Sequence, residues 1–95
     1  MSELAPIPED SRPHLPHGVR LVNSEAHGGW VLLAPERVFK ADPIATAILQ
    51  RCTGEAKLSV IVEDLARAYS APRERIVQDV TALLRMLEQK RLLEL

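Results

Sequence analysis

Residues 30–43 read Trp-Val-Leu-Leu-Ala-Pro-Glu-Arg-Val-Phe-Lys-Ala-Asp-Pro, and they decide the fold because strand and helix signals meet there. Residues 30–33 and 37–40 are short runs of β-forming residues, and the turn Ala34-Pro35-Glu36 separates them. Asp42 then supplies a helix N-cap, and Pro43 takes the first helical position. The stretch therefore predicts two antiparallel strands followed by a helix.

Towards the N-terminus, the sequence predicts one more strand and a proline-rich segment. Residues 19–22, Val-Arg-Leu-Val, alternate as a strand does, and residues 23–29 form a polar loop that ends in two glycines. Residues 1–18 contain four of the seven prolines and no hydrophobic period. Because proline removes a hydrogen-bond donor and restricts the residue before it, we expect a flexible N-terminal segment over residues 1–18. Residues 19–95 are expected to form a single domain.

Towards the C-terminus, the hydrophobic period changes from that of a strand to that of a helix, which predicts three helices. The first runs from Pro43 to Cys52 and stops at Thr53-Gly54, the second opens at Ser59, and the third spans residues 72–90. The predicted buried residues are Ile44, Ala47, Ile48 and Cys52 on the first helix, Ile61, Leu65, Ala68 and Tyr69 on the second, and Ile76, Val80, Leu83 and Leu87 on the third. A small three-stranded antiparallel sheet followed by a three-helix bundle is an α+β fold with a winged helix-turn-helix outline.

The composition excludes several classes of protein. The chain has 95 residues, 12 Lys and Arg against 13 Asp and Glu, and a net charge of −1. Strong nonspecific binding to nucleic acid needs a basic surplus, and a membrane span needs about 20 apolar residues in a row. The sequence has neither, so we expect neither nucleic acid nor a membrane as a partner. The single cysteine, Cys52, fits a reducing cytoplasm. We expect a cytoplasmic monomer, with a dimer or a domain-swapped form left open by an exposed strand edge.

No combination of residues predicts catalysis, a cofactor or a metal ion. His14 and His17 lack further ligands nearby, and His27 has no acidic partner in sequence. Cys52 falls on the predicted apolar face of the first helix, where a thiol is unreactive. Gly28-Gly29 lacks the spaced glycines and the following helix of a phosphate-binding loop. We therefore expect a protein that is not an enzyme.

Two features favour a peptide as the partner. The third predicted strand lies at the edge of the sheet, where an extended peptide can add a strand through backbone hydrogen bonds. The third helix carries a second apolar line, Val77, Thr81 and Leu84, beside its predicted core line. This second line either forms a groove wall against the strand or belongs to the core. A winged-helix DNA-binding regulator is an alternative, which the near-neutral charge disfavours.

Several segments also carry a resemblance to a known family: Arg12-Pro13-His14-Leu15, Gly18-Val19-Arg20-Leu21, Gly29-Trp30-Val31-Leu32-Leu33-Ala34-Pro35-Glu36-Arg37-Val38 and Tyr69-Ser70-Ala71-Pro72. Over residues 12–93 the sequence resembles the PqqD family, protein D of pyrroloquinoline quinone (PQQ) biosynthesis. It departs from the family pattern at Ser24, Thr53-Gly54 and Lys90-Arg91. These are loop and cap positions, so the departures concern local geometry.

The resemblance implies a non-catalytic peptide chaperone. Such proteins bind the ribosomal precursor peptide of PQQ and present it to a radical S-adenosylmethionine (radical SAM) enzyme that links a Glu and a Tyr of the peptide. Related recognition domains take the leader as an added strand on the third strand, in a groove lined by the third helix. Carried over to this chain, the resemblance implies a peptide-binding site made of Arg37, Val38, Phe39, Lys40, Arg73, Val77, Thr81 and Leu84. A structural scaffold subunit of the modifying enzyme, which never contacts the peptide, is the other alternative.

Overall fold

The computed structural model describes residues 5–95, which form one sheet followed by three helices. The sheet is antiparallel, in the order β1-β2-β3, and consists of β1 (Arg20–Ser24), β2 (Gly29–Ala34) and β3 (Arg37–Lys40). The helices are α1 (Pro43–Gln50), α2 (Leu58–Tyr69) and α3 (Arg73–Gln89). This arrangement confirms the predicted α+β class. None of these helices is long and apolar enough to cross a membrane.

One face of the sheet contributes to the core because its side chains alternate between the two faces. Leu32 of β2 is fully buried, and its cross-strand partners Leu21 and Phe39 are packed against the core. Val38 precedes Phe39 on β3 and is 47% exposed, since successive side chains of a strand point to opposite faces. The strand β3 is therefore anchored through Phe39.

Helix α1 begins as predicted and buries most of the predicted face. The Asp42 carboxylate accepts a hydrogen bond from the Ala45 amide at 2.7 Å, and Pro43 occupies the first helical position. The helix ends at Gln50, before the predicted Cys52. Of the predicted buried residues, Ile48 and Cys52 are buried and Ala47 is partly buried, whereas Ile44 is 54% exposed. The helix also packs through Ala45, Thr46 and Leu49. The hydrophobic pattern did not reveal the exposure of Ile44 because it could not show which neighbours the first helical turn meets.

Helix α2 differs from the prediction in its first residue and in the burial of its last two residues. It begins at Leu58, one residue before the predicted start, and Leu58 is buried. Ala68 is exposed and Tyr69 is 48% exposed, although both were predicted to be buried. The buried face is Leu58, Ile61, Val62 and Leu65. The chain turns back at Ser70, which adopts the left-handed conformation.

Helix α3 contributes Leu84 to the core in place of Leu83. Its buried residues are Ile76, Val80, Leu84 and Leu87. Leu84 has no exposed surface, whereas Leu83 is partly buried. Both sets of positions have helical spacing, so the sequence pattern alone does not decide which of the two adjacent leucines points inward. The interpretation of Leu84 as a groove wall is corrected by its burial.

The N-terminal segment packs on the helices. Ile7 is 6% exposed and Pro13 is fully buried. The carbonyl oxygens of Glu9 and Ser11 accept hydrogen bonds from the first amides of α2, at 3.1 and 2.7 Å, and so satisfy a helix start that has no side-chain cap. A flexible segment was predicted over residues 1–18. The structure instead places residues 7–14 against the domain, because extended backbone supplies acceptors where the helix needs them. Residues 1–4 lie outside the described residues.

His14 joins this segment to the C-terminal tail. Its backbone amide and carbonyl exchange two hydrogen bonds with Glu94, at 2.9 and 2.8 Å. Its ring contacts the Arg12 carbonyl at 3.1 Å and the Glu94 carboxylate at 3.0 Å. The hydrogen bond with the Arg12 carbonyl, followed by that with Glu94, raises the pKa of His14 above its usual value of 6.5. Both acceptors stabilise the protonated ring.

The contribution of His14 to stability is expected to depend on pH. A pKa raised on folding gives stability that is fully present below the unfolded pKa and is lost as the pH rises through the folded pKa. We expect His14→Gln to lower the free energy of unfolding more at about pH 5.5 than at about pH 8.5. Urea unfolding at the two pH values measures this difference, with His17→Gln as the control at an exposed histidine of the same segment. An equal loss at both pH values would contradict the assignment.

Candidate peptide-binding site

The outer edge of β3 carries backbone groups that point away from the sheet. The Ala41 amide donates to the Trp30 carbonyl at 3.0 Å, which fixes the alternation of hydrogen-bonded pairs along the β2–β3 register. Arg37 and Phe39 therefore exchange hydrogen bonds with β2. Val38 and Lys40 point their amides and carbonyls outward, and no strand formed by residues 5–95 pairs with this edge. The edge is available to an added strand.

The open edge of β3 lies beside the C-terminal end of α3. The Arg37 guanidinium donates to the Lys90 carbonyl at 2.6 Å. A surface pocket of about 330 Å³ is lined by Arg37, Val38, Phe39, Lys90 and Leu92. All four predicted strand residues thus lie at one edge, and three of them line a pocket with residues that follow α3.

Helical spacing identifies the flank of α3 that continues from this pocket. Met86 precedes Lys90 by four positions and Leu83 precedes Met86 by three, so the three side chains lie along one side of the helix. Leu83 and Met86 are partly buried hydrophobic residues at the border of the core. Helical spacing places them on the same side of α3 as Lys90, which lines the pocket beside β3. The sequence analysis did not single out Met86 or Lys90, and it placed Leu83 in the core, against which Leu83 is partly packed.

The predicted helix residues lie elsewhere. Arg73, Val77 and Thr81 line a pocket of about 160 Å³ on the other flank of α3, together with Ile7 and Glu9 of the N-terminal segment. Arg73 and Glu9 approach to 3.4 Å. Since Leu84 is in the core, none of the four predicted helix residues shares a pocket with β3. The structure therefore places the predicted strand residues beside one flank of α3, and Arg73, Val77 and Thr81 on the other flank.

The second flank is already covered by an extended part of this chain. The Arg85 guanidinium donates to the carbonyls of Ala5 and Pro6, at 3.1 and 3.0 Å, and it also donates to Glu88 at 2.8 Å. These contacts, with the burial of Ile7, occupy the flank that Val77 and Thr81 form. The flank of Leu83 and Met86 carries no such contact with residues 5–14.

The described residues show a buried thiol and offer no metal-binding cluster. Burial raises the pKa of the Cys52 thiol to about 12, and the thiol donates a hydrogen bond to the Ile48 carbonyl at 3.3 Å. A thiol in this state is protonated at neutral pH and is a poor nucleophile. Among residues 5–95, no group of three His, Cys, Asp or Glu side chains is arranged to hold a metal ion.

The fold and the site together define a small α+β domain with an open sheet edge beside its last helix. The family described as Coenzyme PQQ synthesis protein D (PqqD) matches residues 29–93. The chain belongs to the PqqD family, as the resemblance implied.

Relatives and solved structures agree with this assignment. A protein of Bradyrhizobium diazoefficiens called PqqA binding protein is 45% identical over 84 residues, which cover 88% of this chain and 82% of the relative. A protein of Xanthomonas axonopodis with the same name is 47% identical over 89 residues, covering 94% and 97% of the two chains.

Two solved structures share the fold. The solution structure of the PqqD part of Methylobacterium extorquens PqqCD, described as a stand-alone recognition element for ribosomally synthesised and modified peptides, has a TM-score of 0.74. It is 42% identical, and the alignment covers 87% of this chain and 88% of that one. The crystal structure of PqqD from Xanthomonas campestris has a TM-score of 0.59 and is 46% identical, with 94% and 99% of the two chains covered.

Proposed function

We propose that this protein is a non-catalytic peptide chaperone of PQQ biosynthesis, which binds the precursor peptide PqqA as an added strand on β3. The observation that carries the proposal is the free outward edge at Val38 and Lys40, in a chain whose relatives are named PqqA binding protein. Backbone pairing holds an extended peptide, and side-chain contacts with the neighbouring helix select its sequence. In this proposal the peptide lies between β3 and the flank of Leu83 and Met86.

Binding of this kind suits a disordered precursor. A peptide loses conformational entropy when it becomes a strand, and the free energy for that comes from its backbone hydrogen bonds and a few buried side chains. The edge of β3 is held in place by Phe39 in the core and by the Arg37 hydrogen bond to Lys90. Only the peptide has to become ordered on binding.

We further propose that the bound peptide is delivered to the radical SAM enzyme that links its Glu and Tyr residues. A carrier that binds both the peptide and the enzyme raises the effective concentration of the peptide at the active site. This role requires no bond chemistry in the carrier itself. It fits a chain whose one thiol is buried and unreactive.

Titration calorimetry with a synthetic PqqA peptide from the same organism tests the proposal. We expect one-to-one binding with a dissociation constant of about 1 nM to 1 μM. The affinity should change little with salt, because the proposed contacts are backbone hydrogen bonds and apolar side chains. No detectable binding at several temperatures would contradict the proposal and favour the scaffold alternative. Affinity for DNA that falls steeply with salt would favour the regulator.

A further inference from the structure

An apolar cavity lies between the three helices, towards the N-terminal end of α3. Its volume is about 240 Å³, and its apolar lining includes Ile44, Ile48, Leu65, Tyr69, Ile76 and Val80. An apolar cavity of about 150 Å³ already accommodates a benzene ring. This cavity therefore has room for a branched aliphatic or aromatic side chain.

The mouth of the cavity combines exposed apolar side chains with a neutralised pair of charges. Ile44 is 54% exposed and Tyr69 is 48% exposed, and these are two of the four large hydrophobic residues that the described chain leaves exposed. Arg75 and Asp79 also line the cavity, and their charged groups approach to 3.7 Å along the helix. Because the two charges offset each other, the mouth favours an uncharged side chain.

The position of the cavity relates it to the open edge of β3. Asp79 lies on the same flank of α3 as Leu83 and Met86, and Ile44 opens α1 shortly after β3 ends at Lys40. From Asp79 to Lys90 the helix rises about 16 Å, a distance that an extended peptide spans with about five residues. In the proposed binding mode, a peptide on β3 that continues past Lys40 runs along this flank towards the cavity.

We propose that this cavity binds one apolar side chain of the peptide that pairs with β3. The proposal rests on the proposed function and adds the source of its sequence selectivity. Backbone pairing along β3 accepts most sequences, whereas a cavity of this size and polarity selects a branched aliphatic or aromatic residue at one position. Residues that follow or precede the paired segment would supply it.

A matched pair of substitutions tests this assignment. Ile44→Ser removes an apolar side chain from the cavity mouth, and Val60→Ser removes one that is 52% exposed on α2 and lines neither the cavity nor the pocket beside β3. Calorimetry with synthetic PqqA should show about tenfold weaker binding for Ile44→Ser and unchanged binding for Val60→Ser. Circular dichroism checks that both variants are folded.

A double-mutant cycle identifies the side chain that enters the cavity. Each apolar residue of PqqA is replaced by alanine, and each peptide is titrated into the original protein and into Ile44→Ser. One position should weaken binding to the original protein and have little further effect in Ile44→Ser. If Ile44→Ser binds PqqA as the original protein does, or if no position is coupled to it, the cavity assignment is overturned while the proposed function stands. If the original protein does not bind PqqA, the proposed function fails first.

Discussion

Val38→Pro is expected to weaken PqqA binding about ten- to hundredfold while the domain stays folded. The register places the Val38 amide on the outer edge of β3, so proline removes a donor to the peptide and leaves the hydrogen bonds between β2 and β3 in place. Proline is tolerated on an edge strand when its nitrogen faces away from the sheet. A peptide carbonyl that loses its donor on binding costs about 1–3 kcal/mol.

The opposite edge of the same sheet provides the control. The same alternation of hydrogen-bonded pairs directs the backbone amide of Val38 away from the sheet on β3 and that of Asn23 away from the sheet on β1. Asn23 is exposed. Asn23→Pro therefore makes the same chemical change at the edge that is not proposed to bind peptide. Calorimetry with PqqA should show native affinity for Asn23→Pro and reduced affinity for Val38→Pro. Equal affinities in two folded variants would place the peptide elsewhere.

The hairpin and the start of α1 could be predicted from sequence because local interactions determine them. Asp42 caps the helix that begins at Pro43, and the strands on either side of the Ala34-Pro35-Glu36 turn follow from β-forming residues at both ends. Each of these signals acts within a few residues of chain. The strand β3 was therefore predicted at the correct residues, Arg37–Lys40.

The face of α3 that enters the core, and with it the face left for a peptide, could not be predicted because both depend on the rotation of the helix. Leu83 and Leu84 are adjacent and identical, and either one completes a helical apolar line with Val80 and Leu87. The choice is made by tertiary packing, which involves α2, the sheet and the N-terminal segment. Residues 1–18 were predicted to form a separate flexible segment because of their prolines, although Ile7 is part of the core.

The coverage of one flank of α3 by the chain itself bears on how the site works. Arg73, Val77 and Thr81 face the N-terminal segment, and Arg85 holds the carbonyls of that segment. In the proposed binding mode, a peptide on β3 uses the other flank. The N-terminal segment thus restricts the choice of groove, in addition to closing the core.

Leu84→Ala is expected to lower the free energy of unfolding by about 2–5 kcal/mol. Leu84 has no exposed surface, so the shortened side chain loses its contacts and leaves a cavity. A domain of this size has a total stability of about 5–15 kcal/mol, so the loss is large. Urea unfolding followed by circular dichroism measures it, and calorimetry with PqqA on the folded fraction should show little change in affinity.

Leu83→Ala is the matched comparison. The same substitution at the preceding residue should affect stability less and PqqA binding more. Leu83 is partly buried on the flank beside β3, so its loss should cost roughly half as much stability or less and should weaken PqqA binding. Two residues that the sequence cannot tell apart are thereby separated into a core position and a binding position. If Leu84→Ala weakened binding at nearly native stability while Leu83→Ala unfolded the domain, Leu83 would face the core and Leu84 would face the peptide. The groove would then lie on the flank of Val77 and Thr81.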